Sequence, residues 1–130
     1  MQYPRPHHGS TSEFQVSGFP FVTGSAAGEV GTSNPVKVTF PYVTQFIQVS
    51  NIDADDGLFV GFTENGIKGT ESSHRYFVPK NSAGPTIPVK CKEVFFLAAA
   101  NTVGFTVVAG LTNVKDFPAV TGSNGFEGVG

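Results

Sequence analysis

Ser72-Ser73-His74-Arg75 sets two hydroxyls beside an imidazole, the residue types of a nucleophilic hydrolase. Such a site also needs a third group to orient the base and donors for an oxyanion. The chain holds no Gly-x-Ser-x-Gly elbow, and adjacent residues of a strand point to opposite faces. No catalytic residue is expected, and the chain is not expected to be an enzyme. Asp53, Asp55 and Asp56 place carboxylates at the one-three spacing of hard oxygen ligands. The calcium-loop pattern then fails, because the sixth position is Leu58 where the sharp turn needs Gly. A solvated Asp-Gly hairpin turn is the expectation, with a calcium ion on these three as the alternative. His7-His8 has no thiolate or carboxylate close by, and in Gly66-Ile67-Lys68-Gly69-Thr70 the Lys precedes its Gly, against the phosphate-loop order. Cys91 is the single cysteine, which excludes an internal disulfide and a thiolate metal site. It alternates with Val89 and reads as a small buried apolar residue. No metal and no cofactor are expected.

The elements that would carry these residues are short strands. Val36, Val38 and Phe40 alternate with polar residues and should face inward, as should Leu58, Val60 and Phe62. From Tyr42 to Val49, Val43, Ile47 and Val49 share one face, while Tyr42, Thr44, Phe46 and Gln48 share the other. Apolar residues on both faces point to one side in the core and the other against a neighbour. Glu64-Asn65-Gly66 reads as a turn of the Asn-Gly type, Tyr76-Phe77-Val78 as a strand, and Lys80 to Pro85 as a loop.

The densest apolar stretch is Val89 to Leu111, and Val94 to Leu111 is eighteen residues without a charge. That is the length at which a membrane helix must be weighed. Asn101 and Thr102 within it, Gly104 and Gly110, and the two-residue period of Val103, Phe105 and Val107 favour two antiparallel strands folded at Ala100-Asn101-Thr102. No membrane insertion is expected.

With 130 residues, 16 Gly, 9 Pro, 13 Phe and no Trp, the chain fits one all-β domain of about eight short strands. The spacing is that of a single jelly-roll-like antiparallel β-sandwich. Its expected limits are an extended N-terminal arm at 1–12, the sandwich at 13–111, and a Gly-rich C-terminal arm at 112–130. Charged residues are only 14% of the chain, against about a quarter in ordinary usage. Much of the surface is therefore expected to be covered by other chains. A net charge of −2 with scattered Lys and Arg argues against direct nucleic-acid binding. The C-terminal arm keeps Phe117, Val120 and Phe126 among its glycines, which a free tail would lack. Tyr42, Phe46, Phe117, Val120 and Phe126 are the candidate subunit contacts. No basic-then-apolar leader and no Asn-x-Ser/Thr sequon occur, in keeping with a chain made and left unmodified in a cytoplasm.

The segments FPYVTQFIQVSN, LFVGFTENGIKGT, YFVP and the closing VFFL…FTVVAGLTNV resemble, in texture and order, small virion proteins of icosahedral double-stranded DNA viruses. These are minor capsid, penton-type or decoration proteins, and the resemblance spans about residues 36 to 115. It implies a virion structural protein without chemistry of its own, made in the host cytoplasm. Such a protein would assemble as a pentamer or trimer and bind a major capsid protein. The alternative is a β-sandwich module binding carbohydrate or a receptor, with Tyr3, Tyr42, Tyr76 and the phenylalanines to stack on a sugar. The absence of Trp counts against it.

Overall fold

The computed structural model describes residues 19–25, 28–68 and 74–116. Alternation of apolar and polar residues sets the strands, because each apolar series needs a face to bury against. They are β1 (Phe19–Gly24), β2 (Val36–Thr39), β3 (Thr44–Asn51), β4 (Leu58–Gly61), β5 (Tyr76–Val78), β6 (Ser82–Ala83), β7 (Glu93–Ala98) and β8 (Phe105–Leu111), with one short helix, α1 (Glu64–Lys68), after β4. They form two antiparallel sheets, ordered β1-β8-β3-β6 and β2-β7-β4-β5.

The pairing has a simple logic. The first strand pairs with the last, the second with the seventh, the third with the sixth and the fourth with the fifth. A chain folded back on itself as one long ribbon would pair that way. Rolling the ribbon brings β8 beside β3 and β7 beside β4 and makes two sheets. This is the jelly-roll arrangement, and the all-β sandwich expected from the sequence is what forms.

The core lies between the sheets. Val94, Phe96 and Ala98 of β7 and Leu58 and Val60 of β4 face Ile47 and Val49 of β3 and Phe105, Val107 and Ala109 of β8. At its centre the ring of Phe96 stacks on that of Phe105, centroids 3.9 Å apart and planes 15° apart. Phe40 meets Phe21 edge to face at 5.2 Å.

Five local expectations are corrected. β7 and β8 are not a hairpin: they belong to opposite sheets and meet through side chains. Residues 99–104 between them, with Asn101 at a φ of 53°, are long enough to cross from one sheet to the other, where a hairpin is usually closed by two residues. The segment from Asn51 to Gly57 likewise joins β3 to β4 across the sheets rather than closing a hairpin. Glu64-Asn65-Gly66 starts α1 instead of making a turn, because Thr63 caps it. The Thr63 hydroxyl accepts the Gly66 N–H at 3.0 Å, and its carbonyl accepts the Ile67 N–H at 3.1 Å. Lys80 to Pro85 contains β6, which pairs Ser82 and Ala83 with the end of β3. Finally, Thr44 faces the core and not the outer side with Phe46. A bulge between them adds one residue to β3, so Thr44 lies opposite Leu111 and Phe46 opposite Gly110.

The sandwich does not stop at Leu111. Thr112 and Val114 are buried, and the Thr112 N–H and hydroxyl both donate to the Val43 carbonyl at 2.8 Å. The Val43 N–H in turn donates to the Val114 carbonyl. The N-terminal arm at 1–12 and the C-terminal arm from residue 117 lie outside the described residues. Among the described residues no helix is long and apolar enough to cross a membrane.

Replacing Phe96 by Ala should remove the central contact between the sheets. A loss of about 3–5 kcal/mol is expected, the usual range for a buried Phe, measured by urea unfolding. A loss below about 1 kcal/mol would show that the stack is not what joins the two sheets.

Candidate functional site

Among the described residues, those with chemical potential form no metal-holding cluster. Ser72 and Ser73 lie outside the described residues. The Arg75 guanidinium carbon lies over the Phe59 ring, 3.7 Å from its centre, and the group donates to the Ile67 carbonyl at 3.1 Å. It therefore ties α1 and β5 to the outer side of β4. In the acidic segment, one Asp53 oxygen accepts the N–H groups of Asp55 and Asp56 at 3.0 and 2.8 Å. Asn51 accepts the Asp53 N–H, and Asn101 donates to the Asp56 carboxylate at 3.2 Å. These carboxylates fold the turn on itself, as Asp does in tight turns. Among the described residues no group of three His, Cys, Asp or Glu is placed to hold a metal ion.

Cys91 is buried beside the start of β3. The Thr44 hydroxyl donates to the Val89 carbonyl at 2.7 Å, accepts the Cys91 N–H at 3.0 Å, and lies 3.4 Å from the thiol sulfur. One hydroxyl thus satisfies backbone groups on a stretch that has left the regular ladder. Burial pushes the thiol pKa up, against a smaller downward pull from the Thr44 hydroxyl. This is a structural thiol, not an activated one.

The surface is more distinctive. The two sheets differ in how their outer faces are covered. On the sheet ending in β5, α1 forms a roof: Ile67 is fully buried, and a methyl at Gly61 would stand only 3.1 Å from it. Arg75 and Phe77 close over Phe59 beside it. On the other sheet nothing described lies over the strands. Register places Pro20, Gly110 and Phe46 in one row, and Val22, Val108 and Gln48 in the next. Phe46 lies across Gly110, where a methyl would collide with its ring. Val22 is 71% exposed, and Phe46 and Val108 are half-buried.

Of the candidate contacts, Phe46 belongs to this bare face and remains half-buried. Tyr42 is not on that face: it packs against the edge of the core, stacked on Phe19 at 6.0 Å, with the Lys115 ammonium 5.7 Å from its ring. Phe117, Val120 and Phe126 lie outside the described residues. Sequence reasoning missed Pro20, Val22 and Val108. The signal was there, since β1 and β8 carry apolar residues at both parities, but two-sided apolar strands look alike whether the second face is covered or bare.

No protein-family model matches the chain, and no curated protein matches it. Among solved structures it is similar to RmlC from Streptococcus suis in complex with dTDP-D-xylose. Identity is 14% and the TM-score 0.32, over 85% of this chain and 50% of that one. The chain thus spans about half the length of that protein. This match corrects the expectation that the chain is not an enzyme, which rested on missing motifs alone, and the non-enzymatic part of that reading is given up. The likeness goes no further: no activity, substrate or residue role is carried over at such values.

The position of Cys91 gives a pH test. Its thiol keeps its proton to higher pH in the folded state than in the unfolded chain. That contribution to stability is whole below the ordinary thiol range and is lost as pH rises through it. Native protein at mildly alkaline pH should leave Cys91 unreactive to a disulfide reagent until urea is added, and Cys91→Ala should flatten the alkaline fall in stability. Rapid labelling of the native protein would contradict this.

Proposed function

We propose that this chain is a structural protein of an icosahedral virion, one that assembles with copies of itself and binds a major capsid protein. The observation that carries this reading is the outer face of the β1-β8-β3 sheet, where Val22 is 71% exposed beside Pro20 and Val108. Contiguous exposed apolar surface marks contact with other macromolecules. The low charged fraction, 14%, agrees with a surface meant to be covered. The sandwich supplies a rigid body, and the resemblance of residues 36 to 115 to small virion proteins supplies the class. Phe46, which lies across Gly110 on that face, is the described contact residue there, while Tyr42 packs at the edge of the core beside Phe19.

One observation favours a second reading, a carbohydrate- or receptor-binding module. Tyr76 of β5 is 47% exposed, and an exposed aromatic ring suits stacking on a ligand. Binding of the isolated protein on a glycan array, abolished by Tyr76→Ala, would favour that reading.

The assembly reading is tested by native mass. The full chain should give a discrete closed oligomer, pentamer or trimer, as concentration rises. A chain ending at Asp116 keeps Thr112 and Val114 in the core, so it should keep its melting temperature while losing the oligomer. An unchanged oligomer in the shortened chain would remove Phe117, Val120 and Phe126 from the contact.

A further inference from the structure

The two ends of the sandwich carry opposite charge. β3 runs from Thr44 to Asn51, and at about 3.3 Å per residue it separates the ends by about 25 Å. At the Thr44 end stand Lys90, Lys92 and Lys115. Lys92 reaches the Lys115 carbonyl at 2.8 Å, and Lys115 follows the buried Val114. The acidic groups described at that end are Glu93, paired with Lys37 at 3.0 Å, and the exposed Asp116. At the Asn51 end stand Asp53, Asp55 and Asp56, with Glu29 beside the Val30–Val103 bridge. Lys80 is the one base described there, next to Asn81, whose N–H donates to the Asp53 carbonyl. The bare apolar face, with Pro20, Val22, Val108 and Phe46, lies between these ends.

From this placement we infer that the bare face is where a second copy of this chain docks, face to face and antiparallel about a two-fold axis. An antiparallel copy sets its acidic end on the first copy's basic end, and the same match recurs at the other end, as two-fold symmetry requires. A parallel copy would set like charge on like. The apolar rows supply the area removed from water. The ends supply register and discrimination more than affinity, because exposed ion pairs contribute little each. This rests on the reading that copies of the chain associate, and it adds a second contact to it. A two-fold pairing does not close a trimer or pentamer, so it is distinct from the contact that closes such a ring.

The experiment is sedimentation velocity on the full chain and three variants, with thermal melts to show that each folds. Val22→Asp places a charge on a side chain already in water, so it should fold, and it should be monomeric. Lys115→Glu and Asp55→Lys each turn two attractions into repulsions and should weaken the dimer about tenfold or more. An equimolar mixture of these two variants restores opposite charge at both ends of a mixed dimer and should return the wild-type value. High salt should weaken the wild-type dimer and lessen the effect of both charge variants.

Five outcomes bear on the proposal. Loss of the dimer in Val22→Asp, with recovery in the mixture, supports it. A folded Val22→Asp with wild-type assembly overturns the pairing and leaves the assembly reading standing. Recovery in the mixture together with an unaffected Val22→Asp overturns it in favour of end-to-end contact. A wild-type chain that remains monomeric also overturns it, leaving only a virion protein that orders on its shell. Pairing that stops at the dimer, with no larger closed oligomer, keeps the inference and counts against the virion reading.

Discussion

The contact between Phe96 and Phe105 is the constraint around which the sandwich is built. It joins a strand of each sheet through rings 3.9 Å apart, closer than the 4.5–7 Å spacing usual for such pairs. Around it, buried residues from β3, β4, β7 and β8 exclude water from the space between the sheets. Both flanking strands have to be apolar on the inner side for this to hold, and both are. The crossing at residues 99–104 exists because these two strands must face each other instead of lying side by side. The ribbon-like pairing of first with last and fourth with fifth follows once that crossing is made.

A second constraint is polar. The chain leaves the regular ladder between Val89 and Cys91, and buried backbone groups there need partners. The Thr44 hydroxyl provides them, which it can do only because the bulge after it turns Thr44 inward. Cys91 is held in place by this arrangement. Its buried, proton-retaining thiol is a consequence of packing.

The asymmetry of the two outer faces connects the fold to function. One sheet covers part of its outer face, at Gly61, with a helix of five residues held by the Thr63 cap and by Arg75. The other sheet has no such roof among the described residues and leaves Val22 and Pro20 exposed. A chain with so few charges has little else with which to keep that face solvated. The opposed charge at the two ends then gives a covering partner a preferred direction.

What the sequence determined by itself is what depends on near neighbours. Alternation at Val36, Val38 and Phe40, at Leu58 and Val60, and at Val103, Phe105 and Val107 specified strands and their inner faces, because side-chain direction in a strand is a local property of period two. The all-β class and the approximate number of strands follow from those series and the glycines and prolines between them. The tertiary structure decided everything that depends on a distant partner. It placed β7 and β8 in opposite sheets, made a helix of Glu64–Lys68 and a strand of Ser82–Ala83, and turned Thr44 into the core. It also decided which two-sided strands would have their second face roofed and which would leave it bare. Sheet membership, bulges and coverage arise from contacts between segments tens of residues apart, and the pattern within a segment does not contain them.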